Sequence, residues 1–398
     1  MVSILYVDSD PAVLDRVKQE LKGYRPYWRL HTANSASMAM SVMSAAPADV
    51  IVADMGMKGT DGAQLIAAVR ESFPRTIRIL LSSFGDTKKV MESVGDAHQY
   101  LTKPLDSEVL INAVENATAL DTILENDRLR GAVTHLKNVP SLPVVYCDLM
   151  EEVNKVDPSI KRVAQIVGSD IGMTAKILQI ANSAFFGFRK SVSSPVEAVR
   201  FLGLDTITSL ALAVGVFAQF GKQVNTGYIS EIWNHSTKVA RMARDIASIE
   251  RPTVAEDAFT AGLLHDIGEV VMAANAPRAY SETRDFGEFE TLLRLNAERE
   301  KFGATHYEIG AYLLNLWGIP NRVVEAVAFH HTPSKAGHKG FNAVTAVHAA
   351  DGLVHVPEFD EDYRLSELMD LDYFQRAGLR QNVDMWIDAC VKAEPAMA

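Results

Sequence analysis

Five short runs rich in β-branched and apolar residues punctuate the first hundred residues: SILYV (3–7), WRLHT (28–32), DVIVA (49–53), IRILLS (77–82) and HQYL (98–101). Amphipathic stretches of helical length separate them, such as PAVLDRVKQELKG (11–23) and GAQLIAAVRESF (62–73). This alternation leaves few folds open, because parallel strands need crossover connections and both faces of their sheet must be covered. It predicts a five-stranded, doubly wound parallel α/β domain whose ligands sit at the carboxyl ends of the strands.

Chemistry-bearing residues fall at those ends. Asp8 and Asp10 follow the first run, Asp54 the third, Ser82 and Ser83 close the fourth, and Lys103 follows the fifth. Acids from two strand ends can share Mg²⁺, a hard cation that takes oxygen ligands. A lysine and a hydroxyl can then hold a phosphoryl group there. As isolated residues, Asp8 and Asp54 would read as ordinary turn and cap residues.

The pieces YVDSDPAVL, VIVADMGMKGTDG, ILLSSFGD and YLTKPLD resemble a response-regulator receiver domain over residues 1–117. The resemblance implies Asp54 as phosphoacceptor, with Asp8, Asp10, Asp54 and the Gly56 carbonyl around Mg²⁺. It also implies Ser82 and Tyr100 as switch residues and Lys103 as the phosphate-contacting lysine, with a sensor histidine kinase as phosphodonor. Receivers usually carry two adjacent acids after the first strand. Here the second is Ser9, a neutral and poorer ligand, which lowers the Mg²⁺ affinity expected of the site.

From residue 105 apolar residues recur at helical spacing through Leu110, Val114, Ala117, Leu120, Leu124, Val133 and Leu136. They predict a helix over 105–137, a linker or dimer stalk, which the prolines of NVPSLPVV (138–145) interrupt. With a receiver at 1–117 and a linker at 118–138, residues 139–398 form a second domain. No convincing strand follows residue 143. Capping-box spacings at Ser194–Glu197, Thr253–Glu256 and Thr305–Glu308 mark helix starts, so the second domain is expected to be all-α. DMWIDACVKA (384–393) reads as a last amphipathic helix that either covers the core or meets a partner.

Histidines concentrate in this half. His235, His265-Asp266, His306, His330-His331 and Asp351 occur in an order that could supply two metal ions and a nucleophilic water. Imidazole and carboxylate without thiolate suit Mn, Fe or Zn. Each residue alone reads more simply: His235 on an amphipathic face, His306 solvated at a first turn, His331 in a surface loop. His338, His348 and His355 show no obvious partner.

The order of these residues resembles the HD superfamily of metal-dependent phosphohydrolases. A narrower resemblance rests on NVPSLPVVYCDLMEEV, IVGSDIGMTAKILQIANSAFFGF, VEAVRFLGL, AGLLHDIGEVV and LLNLWGIP, and is to the HDOD family over residues 138–335. It implies a signalling output module without established catalytic activity that binds a downstream protein. The alternatives are an HD-type phosphohydrolase, including a cyclic nucleotide phosphodiesterase, and a nucleotide sensor. Enzymes that cleave cyclic-di-GMP carry Lys where this chain has Glu269, and only Lys335 and Lys339 read as cations near the site.

A formal charge of −11 argues against a nucleic-acid footprint. The start MVSILYVDSD lacks a basic signal-peptide region, and the apolar run 207–220 is too short to span a bilayer. Two cysteines outside any metal or redox spacing fit a reducing cytoplasm.

Overall fold

The structure is a computed structural model that describes residues 2–22, 28–57, 61–74, 76–82, 97–103, 107–111, 113–115, 143–182, 192–220, 224, 226–284, 291–338, 340–355 and 365–390. The main division between its two compact units falls between Cys147 and Asp148. The 118–138 linker, and all but the start of the 105–137 helix, lie outside the described residues.

In the first unit the strands are β1 (Val2–Val7), β2 (Trp28–Ala33), β3 (Val50–Asp54), β4 (Ile77–Ser82) and β5 (Gln99–Thr102). They form one sheet in the order β2-β1-β3-β4-β5, and every pairing is parallel. All five residues of β3 are buried, as a strand covered on both faces must be. The helices α1 (Pro11–Lys22), α2 (Ala36–Ala45) and α3 (Gly62–Ser72) connect the early strands. Gly62 sets the seat of α3. A Cβ there would lie 2.0 Å from the Asp54 carbonyl oxygen, so only glycine lets this helix start so close to the end of β3.

The second unit contains no strand among its described residues. Its helices are α4 (Val144–Val153), α5 (Ile160–Gly168), α6 (Ile171–Ala181), α7 (Pro195–Leu202), α8 (Leu204–Phe220), α9 (Thr226–Glu250), α10 (Ala255–Leu264), α11 (Ile267–Asn275), α12 (Pro277–Arg284), α13 (Thr291–Phe302), α14 (His306–Leu316), α15 (Asn321–Phe329), α16 (Ala343–Leu353), α17 (Leu365–Leu368), α18 (Leu371–Ala377) and α19 (Val383–Cys390). The apolar run at 207–220 is the buried body of α8. No single described helix is long and apolar enough to cross a membrane.

The cap expectations divide. Ser194 accepts from the Glu197 amide, and Thr305 and Glu308 cap each other reciprocally. The Thr253 box does not form. Pro252 opens a 3-10 turn, α10 starts at Ala255 without a side-chain cap, and Glu256 instead takes Thr206 and Arg244. The final helix covers the core: Trp386 is fully buried and its indole N–H donates to Glu250 Oε1 at 2.9 Å.

The long α9 packs on α10 and α16, and α10 also meets α15 and α16. The α9–α10 contact is close because Gly262 faces Ala240. A Cβ on Gly262 would stand 2.8 Å from the Ala240 Cα. Small residues at this crossing bring His235 of α9 within reach of His265 at the end of α10.

Candidate metal and phosphoacceptor sites

At the sheet's carboxyl edge, Asp8 and Asp54 are buried and share one cation. Lys103 Nζ lies 2.8 Å from Asp8 Oδ2 and 2.9 Å from Asp54 Oδ1. Burial alone would lower the pKa of this ammonium, but hydrogen bonds and charge from both carboxylates outweigh it and leave the pKa raised. Asp8 Oδ1 accepts the Asp10 amide at 2.9 Å. Gly56 lies against the phosphoacceptor position, since a Cβ there would be 3.7 Å from Asp54 Oδ2. Asp10, expected as a metal ligand, also caps a helix. It is exposed, and its Oδ1 accepts the Ala12 amide to cap α1, because a short acid just before a helix satisfies an orphan N–H. Ser82 ends β4 and Tyr100 lies in β5, but their side chains lie outside the described residues.

In the second unit the seven expected His and Asp residues converge. The His265-Asp266 pair is not inside a helix. It forms the corner between α10 and α11, which lets both side chains face the same space. His235 comes from α9, His306 opens α14, His330 ends α15 with His331 next, and Asp351 comes from α16.

Two groups of ligand atoms result. In the first, His265 Nε2 lies 3.2 Å from His235 Nε2, 3.1 Å from Asp266 Oδ2 and 3.7 Å from Asp351 Oδ1. His235 Nε2 lies 3.1 Å from Asp351 Oδ1 and 3.6 Å from Asp266 Oδ2. In the second, His306 Nε2 lies 3.2 Å from His331 Nε2 and 3.4 Å from Asp266 Oδ1, and His330 Nε2 lies 3.9 Å from that oxygen. Ligand atoms about 2.1 Å from a common ion, at tetrahedral to octahedral angles, stand roughly 3.0–3.4 Å apart. Three of the five distances in the first group and two of the three in the second fall in this range, and the rest lie within about 0.5 Å of it. Asp266 belongs to both, one oxygen to each.

The hydrogen bonds behind the rings fix their tautomers. His265 Nδ1 donates to the Gly262 carbonyl and His330 Nδ1 to that of Val327, each at 2.8 Å. With Nδ1 committed to a carbonyl, Nε2 is the nitrogen each ring turns toward the site. His330 Nε2 is buried without a hydrogen-bond partner, an orphan that a cation would satisfy. Donor set, spacing and orphan together fit a divalent metal pair.

The family model of the response regulator receiver domain matches residues 4–115, and that of the HDOD domain matches residues 139–333. The chain is a receiver domain followed by an HDOD domain. An uncharacterized protein of Treponema pallidum is 24% identical over 198 residues, 49% of this chain and 38% of that protein. The hydrogenase transcriptional regulatory protein HoxA of Cupriavidus necator is 30% identical over 117 residues, 29% of this chain and 24% of that protein. The chain thus spans well under half the length of these curated relatives. An HDOD domain protein of unknown function from Geobacter sulfurreducens shares the fold, with a TM-score of 0.54 and 23% identity over 69% of this chain and 91% of that one.

His235, His306 and His331, with Asp266 and Asp351, line a cavity of about 460 Å³. Its lining includes Arg284 and Arg294, which sequence reasoning missed in favour of Lys335 and Lys339. Lys335 is not in the lining, and Lys339 lies outside the described residues. Glu269 is no free anion: Tyr280 Oη donates to it at 2.5 Å and Arg294 pairs with it. Glu298, also missed, is fully buried and accepts from His306 Nδ1 at 2.9 Å. The histidines without an obvious partner have one. His348 bridges the His330 carbonyl and the Asp370 amide, His338 pairs with Glu325, and His355 stacks on His235.

Burial alone would lower the His265 pKa, but Asp266 and Asp351 outweigh it and raise it to about 9. Asp266 and Asp351 sit well below the usual carboxylate range, because the surrounding imidazoles outweigh the penalty of burial. Burial, reinforced by the charge of His265, pushes His330 down to about 3. Burial and then His330 lower His331. The site therefore holds two ionised carboxylates and, in His330 and His331, imidazoles with lone pairs for a cation, while His265 would release a proton on binding one.

Proposed function

We propose that this chain is a two-component response regulator whose HDOD output domain is a dinuclear metal-dependent phosphohydrolase. One observation carries the output reading: the two oxygens of Asp266 face two separate histidine groups, one of which contains the orphaned Nε2 of His330. His235, His265, Asp266 and Asp351 would hold one ion, and Asp266, His306, His330 and His331 the other. Divalent Mn, Fe or Zn bound there supplies Lewis acidity toward a phosphoryl group and an attacking water. The chain's own contribution is to fix the rings through Gly262, Val327 and Glu298 and to keep Asp266 ionised between the positions.

On the input side, Asp54 is the proposed phosphoacceptor, a histidine kinase its donor and Mg²⁺ its cofactor, with Asp8 as the second acidic ligand. Lys103, already bridging both carboxylates, is poised to follow the new phosphoryl charge.

Metal analysis by mass spectrometry of the purified full chain tests the output reading. Two ions per chain, lost in His265→Ala, together with phosphoester hydrolysis lost in Asp266→Ala, are expected. A chain that takes up no metal on reconstitution would refute it and return the output to the binding of a downstream protein. Acetyl phosphate tests the input: Mg²⁺-dependent labelling is expected, and its persistence in Asp54→Asn would overturn the assignment.

A further inference from the structure

The two proposed metal positions are unequally supplied with charge. The first draws on two carboxylates, Asp266 Oδ2 and Asp351 Oδ1, beside two imidazoles. The second has three imidazoles and, within 4 Å of His306 Nε2 and His330 Nε2, only the other oxygen of Asp266; the next carboxylate, Glu269, within 4.8 Å of Asp266 and His306, is already held by Arg294 and Tyr280. Three neutral rings and half of a shared carboxylate neutralise a divalent ion poorly in a buried site.

The missing charge lies one bond further out. Glu298 is fully buried and grips His306 twice, accepting from its backbone amide at 2.8 Å and from its Nδ1 at 2.9 Å. The rings of His265 and His330 donate instead to neutral backbone carbonyls. A carboxylate behind an imidazole raises its basicity and fixes its orientation more strongly than a carbonyl does. Glu298 is held in turn. Arg294, four residues earlier on α13, has its Nε 3.4 Å from Glu298 Oε1 and pairs with Glu269, which Tyr280 also grips. Two carboxylates to one guanidinium leave this trio with a net charge of −1.

We infer that Glu298 is a positioning residue that makes the His306–His330–His331 position able to hold its ion, while the His235–His265–Asp351 position does not depend on it. The inference rests on the dinuclear reading above. It also gives Glu269 a use: it shares Arg294, so that the arginine does not cancel the charge of Glu298.

The test is titration of the chelator-stripped full chain with Mn²⁺, counting free ion by electron paramagnetic resonance. The wild type is expected to bind two ions and to show the signal of a spin-coupled pair. In Glu298→Gln, which keeps the shape of the side chain, one site should weaken roughly 10–100-fold. The other should stay unchanged, and the signal should become that of an isolated ion. Should Glu298→Gln fail to fold, Glu298→Asp, which keeps the charge but draws it back from the His306 ring, is expected to weaken the same ion and leave the other unchanged. A folded variant that keeps both ions at wild-type affinity, or weakens both equally, would overturn the inference while leaving the dinuclear reading standing. A wild-type chain that binds no Mn²⁺ would overturn both.

Discussion

Gly268 sits where α11 crosses α14, and a Cβ added there would stand 1.9 Å from the His306 carbonyl oxygen, 2.7 Å from its carbon and 3.0 Å from the Gly310 nitrogen. All three are backbone atoms, so no rotamer change relieves the clash. The helices must part by at least an ångström. Forced overpacking of this kind costs about 1–3 kcal/mol. The consequence for the site is sharper. Gly268 is two residues from Asp266, and the atom it strikes belongs to His306, so Gly268→Ala pushes apart Asp266 Oδ1 and His306 Nε2, now 3.4 Å from each other. Metal sites tolerate deviations of only about 0.2 Å in ligand distance. The expected outcome is a folded chain with urea stability lowered by about 1–3 kcal/mol and loss of the ion shared by Asp266 and His306. Urea unfolding followed by far-UV circular dichroism and metal analysis measure both. Wild-type stability with two bound ions would refute the crossing geometry.

Three further outcomes follow from other parts of the chain. Ser9→Asp adds an anionic oxygen beside Asp8, and should lower the Mg²⁺ concentration for half-maximal acetyl-phosphate labelling about tenfold, equivalent to ~1.4 kcal/mol; an unchanged requirement would mean that Ser9 is not what limits the site. Trp386→Ala empties a fully buried position and leaves Glu250 without its indole donor. A loss of about 3–5 kcal/mol is expected in chemical denaturation, and a loss under ~1 kcal/mol would show that α19 does not close the core. Burial, with a smaller contribution from Asp245, pushes the Cys390 thiol up to about 12. The thiolate is therefore scarce at pH 8, and Cys390 should resist alkylation until urea unfolds the chain. Peptide mapping after labelling checks this, and rapid native labelling would contradict it.

Residues dictated by local rules were the legible ones. The strand runs at 3–7 and 77–82 match β1 and β4 to within one residue, because a strand buried on both faces must be almost continuously apolar. The order of His235, His265-Asp266, His306, His330-His331 and Asp351 pointed to residues that the fold brings into one space. What supports them was harder to see. Arg294 and Glu298 stand four apart on α13, a spacing that reads as an exposed helical ion pair until tertiary packing buries it. The capping role of Asp10 was not separable from metal binding in the sequence, because a capping acid and a metal-binding acid look alike after a strand. Thr253–Glu256 had the spacing of a capping box, but Pro252 started a tighter turn first and Glu256 found Arg244.

His235 and Asp351 touch at 3.1 Å although 116 residues separate them in the chain. At roughly 5–20 residues per second on the ribosome, His235 is made some 6–23 seconds before its partner. His265 and Asp266 emerge during that interval, facing a vacancy where Asp351 will stand. The first ligand group therefore cannot close until α16 has been synthesised and has docked on α9 and α10. An ion captured earlier would be held by an incomplete set of ligands and exchange freely. On the proposed dinuclear function, metal selection would thus be deferred to the finished domain, where geometry rather than order of arrival decides which ion stays.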